Sequence, residues 1–365
     1  MKEGKNTFLY SLFNLVTILF LLYLFFVAIE MLGVSFKLIG KETARNLIHS
    51  TTASPIIGLL VGTLATAIIQ SSSTTTSMVV ALVAGGAIDI SHAIPVIMGA
   101  NIGTTITNSI VSTVHISANK EFERAFAAAV VHDIFNILSV IVLLPLQAYF
   151  NLLGRVASFL EKLFEGIGGI KVSSPIKIIT KPVVHFIADV VNKNGYITAI
   201  LSFILLIVAL SFLVKVIKRV IVGRAQVFFS EVMFKNAAYS LLLGMILTAV
   251  VQSSSVTTSL IVPIAAAGIL TLEQVFPYTL GANIGTTITA ILASLATGNP
   301  AAITVAFSHL SFNVIGITVL YPFKKIPISL AKTFSKVSIK FKLFPIIYIL
   351  VVFFIIPAII YYIWR

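Results

Sequence analysis

One stretch occurs twice in the chain, and it constrains the fold more than any other feature. Residues 70–107 and 252–289 align over 38 positions without a gap, and 20 of these positions are identical. Both copies begin with Gln-Ser-Ser-Ser and end with Gly-Ala-Asn-Ile-Gly-Thr-Thr-Ile-Thr, and they lie 182 residues apart in a chain of 365. Two matched motifs at equal spacing indicate an internal duplication. In an apolar chain, this pattern is typical of a transporter built from two repeats, with its site where they meet.

The composition predicts an integral, multi-pass membrane protein. Hydrophobic residues make up 58% of the chain and charged residues only 10%, with a mean hydropathy of +1.07. A soluble domain carries about 25% charged residues. The net charge of +13 reflects Lys and Arg in loops, as orientation in a bilayer requires, so nucleic acid is not an expected partner. The chain has no Cys, which excludes thiolate metal sites and a Cys nucleophile.

The apolar segments divide the chain into two repeats, a linker and a final helix. We assign residues 1–150 to the first repeat, 151–195 to the linker, 196–342 to the second repeat and 343–365 to a C-terminal helix. The predicted membrane-spanning segments within the repeats are 8–36, 94–118, 122–150, 196–222, 274–297 and 301–322.

Two further apolar segments, 55–91 and 237–271, are each interrupted by a polar run. In the first, eight polar residues run from Gln70 to Ser77. Each flanking half has about 14 residues, or ~21 Å of helix, which is short of a ~30 Å hydrocarbon core. A re-entrant hairpin with the polar run at its tip explains this pattern. The alternative is a kinked helix that uses Ser and Thr for packing, but the in-register repetition favours the hairpin.

Charge in the loops predicts how the repeats are oriented. If the second hairpin does not cross the membrane, two spans separate the basic stretches 215–235 and 324–342, so both lie on one side, which suits the cytoplasm. The expected fold is therefore an all-α polytopic membrane protein with two inverted-topology repeats. Each repeat has a re-entrant helical hairpin and discontinuous helices around a central site. The side of the C-terminus stays open.

The residue types in the repeated motifs indicate small ions as ligands. Neither 46–119 nor 236–323 contains Lys or Arg. Neutral Gln, Ser, Thr and Asn oxygens suit a hard cation such as sodium better than a transition metal. A helix that begins at a hairpin tip also offers free N–H groups to an anion. Without a fixed cation, that anion binds well only beside co-bound cations, and this is a physical basis for coupling. The residues alone do not name the anion.

An acidic residue, Asp133, is predicted near membrane depth. Intramembrane carboxylates are costly, which makes Asp133 a functional candidate; the alternative is a structural carboxylate facing a cavity. By pairing Asn136 with Asn313, its counterpart in the second repeat is Leu310. The two repeats are therefore not equivalent.

The motifs together resemble the type II sodium-dependent phosphate cotransporter family, in a bacterial-type member. The resemblance rests on both Gln-Ser-Ser-Ser tetrapeptides and on Gly99–Thr107, Phe122–Phe135 with its Val-His-Asp, and Tyr278–Ala290. It implies sodium-coupled symport of inorganic phosphate by alternating access in the cell (plasma or inner) membrane. It implies a protein that is not an enzyme and has no cofactor, with sodium ions as coupling ligands and the lipid bilayer as surroundings. A homo-oligomer is left open.

The resemblance also assigns site residues. It implies phosphate binding by Ser71, Ser72, Ser73, Ser253, Ser254 and Ser255. It implies sodium binding by Gln252, Ser253, Thr286 and Thr289, with Asp133 and Asn136 as sodium-associated positions, and the duplicated positions Gln70, Asn101, Thr104 and Asn283 complete the expected sodium set. The chain departs from the animal pattern at His115, Ala118, Asn119 and Ala282, which leaves the number of sodium ions open.

The sequence leaves three other interpretations to consider. A transporter of the same build could carry another small anion or export phosphate. An intramembrane serine hydrolase could use His132 with Asp133, or His309, as base and orienting group. However, two near-identical Ser clusters are unnecessary for catalysis, and a Gly-x-Ser-x-Gly elbow is missing. A channel would not need duplicated broken hairpins around a closed site.

Overall fold

The computed structural model describes residues 2–39, 54–166, 175–228 and 236–364. Most of the connector at 37–54, part of the linker at 167–174 and the end of the basic stretch at 229–235 lie outside the described residues. In chain order the α-helices are α1 (Lys2–Ile39), α2 (Pro55–Ile69), α3 (Ser72–Gly85), α4 (Ile90–Gly103), α5 (Ile106–Ser112), α6 (Asn119–Phe150), α7 (Leu152–Gly166), α8 (Pro175–Val190), α9 (Gly195–Phe228), α10 (Ala237–Val251), α11 (Ser254–Ala266), α12 (Leu272–Thr297), α13 (Pro300–Leu320), α14 (Lys325–Lys340), α15 (Phe344–Leu350) and α16 (Ile356–Trp364). Short 3₁₀ turns follow α5 and α13, and a π-helical turn joins α15 to α16.

Helices long and apolar enough to cross a membrane recur along the chain. In the described part they are Leu12–Ile39, Ile90–His115, Asn119–Phe150, Gly195–Val216, Leu272–Thr297, Pro300–Phe323 and Phe344–Ile363. Helices α2, α3, α10 and α11 are also apolar but have 13 to 15 residues, too few to span a ~30 Å core. The predicted class, an all-α polytopic membrane protein, is confirmed.

The two short helix pairs have the same local geometry. Helix α2 ends at Gln70, and α10 ends at Gln252; both glutamines adopt the left-handed conformation, with φ of 56° and 59°. The next residues, Ser71 and Ser253, are extended N-caps of α3 and α11, whose side chains accept from Thr74 and Val256 N–H groups. We call these pairs hairpin 1 (α2–α3) and hairpin 2 (α10–α11). Each hairpin therefore turns within two residues.

Glycines bring each hairpin against the helix that follows it in the chain. A Cβ at Gly99 would overlap the Leu59 carbonyl oxygen, and a Cβ at Gly281 would overlap that of Leu241. These pairs are equivalent, since 99 and 281, like 59 and 241, are 182 residues apart. Helix α2 thus packs on α4, and α10 packs on α12, at a backbone separation that only Gly allows.

Contacts at the helix ends show that the two hairpins finish at opposite ends of the bundle. Lys342 Nζ donates to the Ile116 carbonyl, and Arg124 Nε donates to the carbonyl of Ala266, where hairpin 2 finishes. We call this the basic end, since α14 and its lysines lie there. Hairpin 1 finishes at the other end, where Asn299 Nδ2 donates to the Ala84 carbonyl.

Each hairpin is also held by the other repeat. Ala84 and Ala266 are equivalent positions, yet Ala84 is bonded by Asn299 at the start of α13 and Ala266 by Arg124 near the start of α6. Helix α3 packs against α12 and α13, whereas α11 packs against α5 and α6. The second helix of each hairpin therefore packs against the other repeat as well as against its own.

The structure differs from the prediction in one span of the first repeat. The segment predicted as 94–118 is broken between α4 and α5 at Thr104 and Thr105, whereas α12 is continuous. After the break, Asn108 N–H donates to the carbonyl of Thr105, three residues back. The Thr104 carbonyl instead accepts from Ser255 Oγ of hairpin 2, at 3.4 Å.

Candidate binding site between the hairpins

A cavity of about 510 Å³ lies where the tips of the two hairpins meet. Its lining from the tips and their surroundings comprises Gln70, Ser71, Thr74, Thr107, Gln252, Ser253, Ser255 and Ser259. Helix α9 supplies another wall with Leu210, Ser211, Val214 and Lys215. Helix α9 starts beside Ile39 and runs toward the basic end, so Lys215 marks the side to which the cavity extends.

The tips present two helix N-termini to this cavity. The capping hydroxyls of Ser71 and Ser253 each satisfy one N–H of the first turn, and the remaining first-turn N–H groups have no intrahelical acceptor. Aligned peptide dipoles give such a terminus about half a positive charge. The preceding glutamines, Gln70 and Gln252, are non-glycine residues at positive φ, a conformation that concentrates at ligand sites.

The tip of hairpin 1 (tip 1) and the tip of hairpin 2 (tip 2) differ in whether their equivalent side chains are hydrogen-bonded. At tip 2, the Gln252 amide oxygen accepts from Thr289 Oγ1 at 2.7 Å, and its carbonyl accepts from Ser73 Oγ at 3.0 Å. At tip 1, Gln70 is exposed to the cavity, and Thr107 Oγ1, the equivalent of Thr289, has no hydrogen-bond partner within the described chain. Three predicted site residues, Gln252, Thr289 and Ser73, are thus joined by hydrogen bonds, whereas Gln70 lines the cavity.

The predicted asparagines form a separate network in the centre of the bundle. His132 Nε2 lies 2.6 Å from Asn283 Oδ1; because an amide oxygen only accepts, this ring nitrogen carries the proton. Asn283 Nδ2 donates to Asn136 Oδ1 at 2.7 Å, and Asn136 Nδ2 donates to the Asn101 carbonyl at 2.7 Å. The structure therefore brings Asn101, Asn136 and Asn283 together, with their side chains engaged across the repeat boundary.

Asp133 is fully buried on α6, one residue after His132. Its Oδ2 accepts from Ser109 Oγ at 3.1 Å and from Tyr348 Oη at 3.2 Å. Tyr348 comes from α15, the first helix of the C-terminal segment. The carboxylate thus has hydroxyl partners from α5 and from α15.

The other predicted site residues lie in the first turns of α3 and α11, at the break between α4 and α5, or inside α12. Ser72, Ser254 and Ser255 are buried at the starts of α3 and α11. Thr104 and Thr286 are equivalent, and each donates its hydroxyl to an Ala carbonyl four residues back. They are close in sequence to the central asparagines, but their hydroxyls are used locally.

Sequence reasoning missed three residues at the site. Tyr348 carried no signal, because its contact with Asp133 joins residues 215 positions apart. Asn108, which accepts from Thr258 and Ser259 of hairpin 2 at 2.9 and 3.0 Å, lies just beyond the duplicated stretch. Lys215 was counted only as part of a basic loop. In the described ranges, no three His, Asp or Glu side chains gather as a transition-metal site would require.

Comparison with known proteins decides the family. The model of the Na+/Pi-cotransporter family matches residues 24–171 and 205–356, which includes both hairpins and the central network. The chain belongs to the Na+/Pi-cotransporter family. The match confirms the resemblance drawn from the duplicated motifs, and it favours transport over hydrolysis.

Curated relatives extend the match over nearly the whole chain. Sodium-dependent phosphate transport protein 2A of Rattus norvegicus is 32% identical over 419 residues, covering 93% of this chain and 66% of the relative. Sodium-dependent phosphate transport protein 2B of Homo sapiens is 31% identical over 442 residues, covering 94% and 64%. The chain thus spans about two thirds of the length of these relatives. No solved structure matches it.

Proposed function

We propose that this family member is a secondary active transporter that couples sodium to the movement of inorganic phosphate by alternating access. The observation that carries the proposal is that the two equivalent Gln-Ser-Ser-Ser tips line one 510 Å³ cavity with their helix N-termini beside it. The names of the relatives, which are sodium-dependent phosphate transport proteins, supply the two ions. The proposed class is not an enzyme.

The anion would bind between the tips. First-turn N–H groups and Ser hydroxyls can donate to the phosphate oxygens, and the two helix dipoles favour negative charge. The proposed ligands are Ser71, Ser72, Ser73, Ser253, Ser254 and Ser255. Of these, Ser71, Ser253 and Ser255 line the cavity now, while Ser73 bonds the opposite tip. Phosphate binding would therefore compete with that tip-to-tip contact.

Sodium would bind through neutral oxygens. The proposed set is Gln70, Asn101, Thr104, Asp133, Asn136, Gln252, Ser253, Asn283, Thr286 and Thr289. Support is strongest at Gln252 and Thr289, whose side-chain oxygens lie 2.7 Å apart beside Ser73. Because the cavity walls of the two tips are neutral, co-bound sodium would supply the charge that phosphate requires, which makes the two ligands raise each other's affinity.

The duplicated fold supports alternating access by inverted repeats. Hairpin 1 finishes at the end opposite the basic end, and hairpin 2 finishes at the basic end. Basic loops favour the cytoplasmic side, so we place the basic end there and the protein in the cell membrane. The cavity then faces the cytoplasm, and an exchange of conformation between the repeats would open it to the outside.

The test is uptake of radiolabelled phosphate into proteoliposomes, with an inward sodium gradient compared with an equal potassium gradient. Sodium-dependent, saturable uptake is the expected result. Uptake that is equal with both cations contradicts sodium coupling. Uptake of sulfate or arsenate but not of phosphate would identify a different substrate anion and leave the assignment as a transporter unchanged. A non-saturable flux would indicate a channel.

A further inference from the structure

The central network contains a second His–Asn pair, related to the first by the internal duplication. His309 corresponds to His132, as Asn313 does to Asn136, and Asn101 corresponds to Asn283. His309 Nε2 faces Asn101 Oδ1, just as His132 Nε2 faces Asn283 Oδ1. Each histidine therefore bonds the central Asn of the other repeat, and all four residues are at least 97% buried.

The two pairs differ in how tightly they are made. The distance from His132 to Asn283 is 2.6 Å, whereas that from His309 to Asn101 is 3.4 Å. Asn283 also donates to Asn136, but Asn101 donates to the Ile97 carbonyl of its own helix instead. As a result, Asn313 Oδ1 has no hydrogen-bond partner in the described part of the chain. The His132–Asn283 pair is therefore joined by a short contact, and the His309–Asn101 pair by a long one.

One substitution between the repeats explains part of this difference. Asn108 Nδ2 lies 3.4 Å from His132 Nδ1, and Asn108 Oδ1 accepts from Ser259 of hairpin 2. The residue equivalent to Asn108 is Ala290, and the residue equivalent to Ser259 is Ser77. His309 Nδ1 and Ser77 Oγ, the groups that an Asn at 290 would bridge, are both buried and have no partner among the described residues.

We propose that His132 and His309 are positioning residues that set the direction of access. The His132–Asn283 contact is tight when the cavity opens at the basic end, and the His309–Asn101 contact becomes the tight one in the opposite state. This inference rests on the proposed function only for the existence of two access states. Because Asn108 reinforces the first contact and Ala290 cannot reinforce the second, the chain favours the basic-end opening when no ligand is bound.

Two reporter positions measure the two openings separately. Leu260 lines the present cavity, and Met78 is its equivalent in hairpin 1. The chain has no Cys, so Leu260→Cys and Met78→Cys each provide a single thiol. In nanodiscs a membrane-impermeant maleimide reaches both faces, and the labelling rates of the two reporters follow the two openings without sodium or phosphate.

The labelling rates of the two reporters are expected to change in opposite directions. His132→Ala lowers the labelling rate of Leu260→Cys and raises that of Met78→Cys, each by about threefold, the typical effect of one hydrogen bond between membrane helices. His309→Ala slows the labelling of Met78→Cys. Asn108→Ala, which makes the first repeat resemble the second, acts as His132→Ala does. His132→Gln keeps an N–H donor toward Asn283 and retains rates close to those of the parent.

The opposite outcomes overturn the proposal. If both His variants change a given reporter in the same direction, or change neither, the histidines serve packing alone. Thermal unfolding of each variant identifies any variant that fails to fold. If a His→Ala variant does, the labelling rates of His132→Gln and Asn108→Ala test the proposal in its place. Since labelling requires no transport, a failure of phosphate uptake in the parent protein contradicts the proposed function and leaves this result standing.

Discussion

Ser73 Oγ donates a hydrogen bond to the Gln252 carbonyl at 3.0 Å, which joins the tip of hairpin 1 to the tip of hairpin 2. The two residues are 179 positions apart. Gln252 is held in the left-handed region at φ 59°, and its side-chain amide accepts from Thr289. A conformational change at one tip therefore alters the other tip directly, because the Gln252 carbonyl group belongs to hairpin 2 and is hydrogen-bonded to hairpin 1.

Gln252→Asn is expected to weaken sodium dependence. Asn tolerates the left-handed conformation, but its shorter side chain cannot keep the 2.7 Å contact with Thr289. Losing a buried hydrogen bond of ~1.4 kcal/mol corresponds to an approximately tenfold higher sodium concentration for half-maximal uptake. The measurement is phosphate uptake as a function of sodium. The comparison is Gln70→Asn, because Gln70 has the same conformation but faces the open cavity, and Thr107, the equivalent of Thr289, has no hydrogen-bond partner in the described chain. Gln70 is also a proposed sodium ligand, so the increase should be present but smaller, and an equal effect of both changes would contradict a special role for Gln252.

Asp133→Asn is expected to change the charge moved in each transport cycle. The amide keeps the shape of the carboxylate beside Ser109 and Tyr348 but removes a charge that could balance a sodium ion. Uptake should then lose its response to an imposed membrane potential. The control is Tyr348→Phe, which removes one donor and leaves the carboxylate, so uptake should still respond. A voltage response that persists in Asp133→Asn would remove Asp133 from the cation pathway.

Gly99→Ala and Gly281→Ala are expected to destabilise the protein. Each added methyl group would meet a backbone carbonyl oxygen of the adjoining helix, and backbone cannot move aside as a side chain can. Overpacking of this kind costs about 1–3 kcal/mol, which thermal unfolding of the purified protein in detergent would detect. Gly33→Ala in α1 is the control, because no atom lies within 4 Å of its added methyl group. A Gly33 variant that is as unstable as the other two would argue against the close-packing explanation.

Lys215→Gln is expected to weaken phosphate binding from the basic end. Lys215 is the one cationic side chain among the residues that line this part of the cavity, and it lies over the Phe212 ring at 5.0 Å. Because the side chain is exposed, its attraction for phosphate is screened by salt. The half-saturating phosphate concentration on that face should rise about threefold at low ionic strength and change little at high salt. Lys325→Gln, an exposed change on α14 at the same end, should have no such effect.

Part of the architecture could be predicted from the sequence because of the internal duplication. Because both tetrapeptides recur at a fixed shift, Gln70 and Gln252 could be predicted as paired tips, and the short flanking helices followed from length alone. The left-handed turn at each Gln was not predictable, since Gln has no preference for that conformation. In this conformation the backbone N–H of Gln70 donates to the Thr66 carbonyl, and that of Gln252 donates to the Thr248 carbonyl.

The central network was beyond sequence reasoning for a different physical reason. Asn101 and Asn283 were predicted to be sodium-site residues, but their hydrogen-bond partners depend on how the repeats pack together. His309 lies 208 positions from Asn101, and His132 lies 151 from Asn283. Local periodicity carries no information about such pairs. The break at Thr104 was missed similarly, because α12 has the same local motif and remains continuous.

The contact between Asn101 of α4 and His309 of α13 also bears on biogenesis. Asn101 meets His309 only after another 208 residues have been synthesised, which takes roughly 10 to 40 s at 5–20 residues per second. A first repeat that enters the bilayer during that interval contains polar groups whose partners do not yet exist. Lipid cannot satisfy these groups, so the first half of the chain must be sheltered by water or by the insertion machinery until the second half arrives.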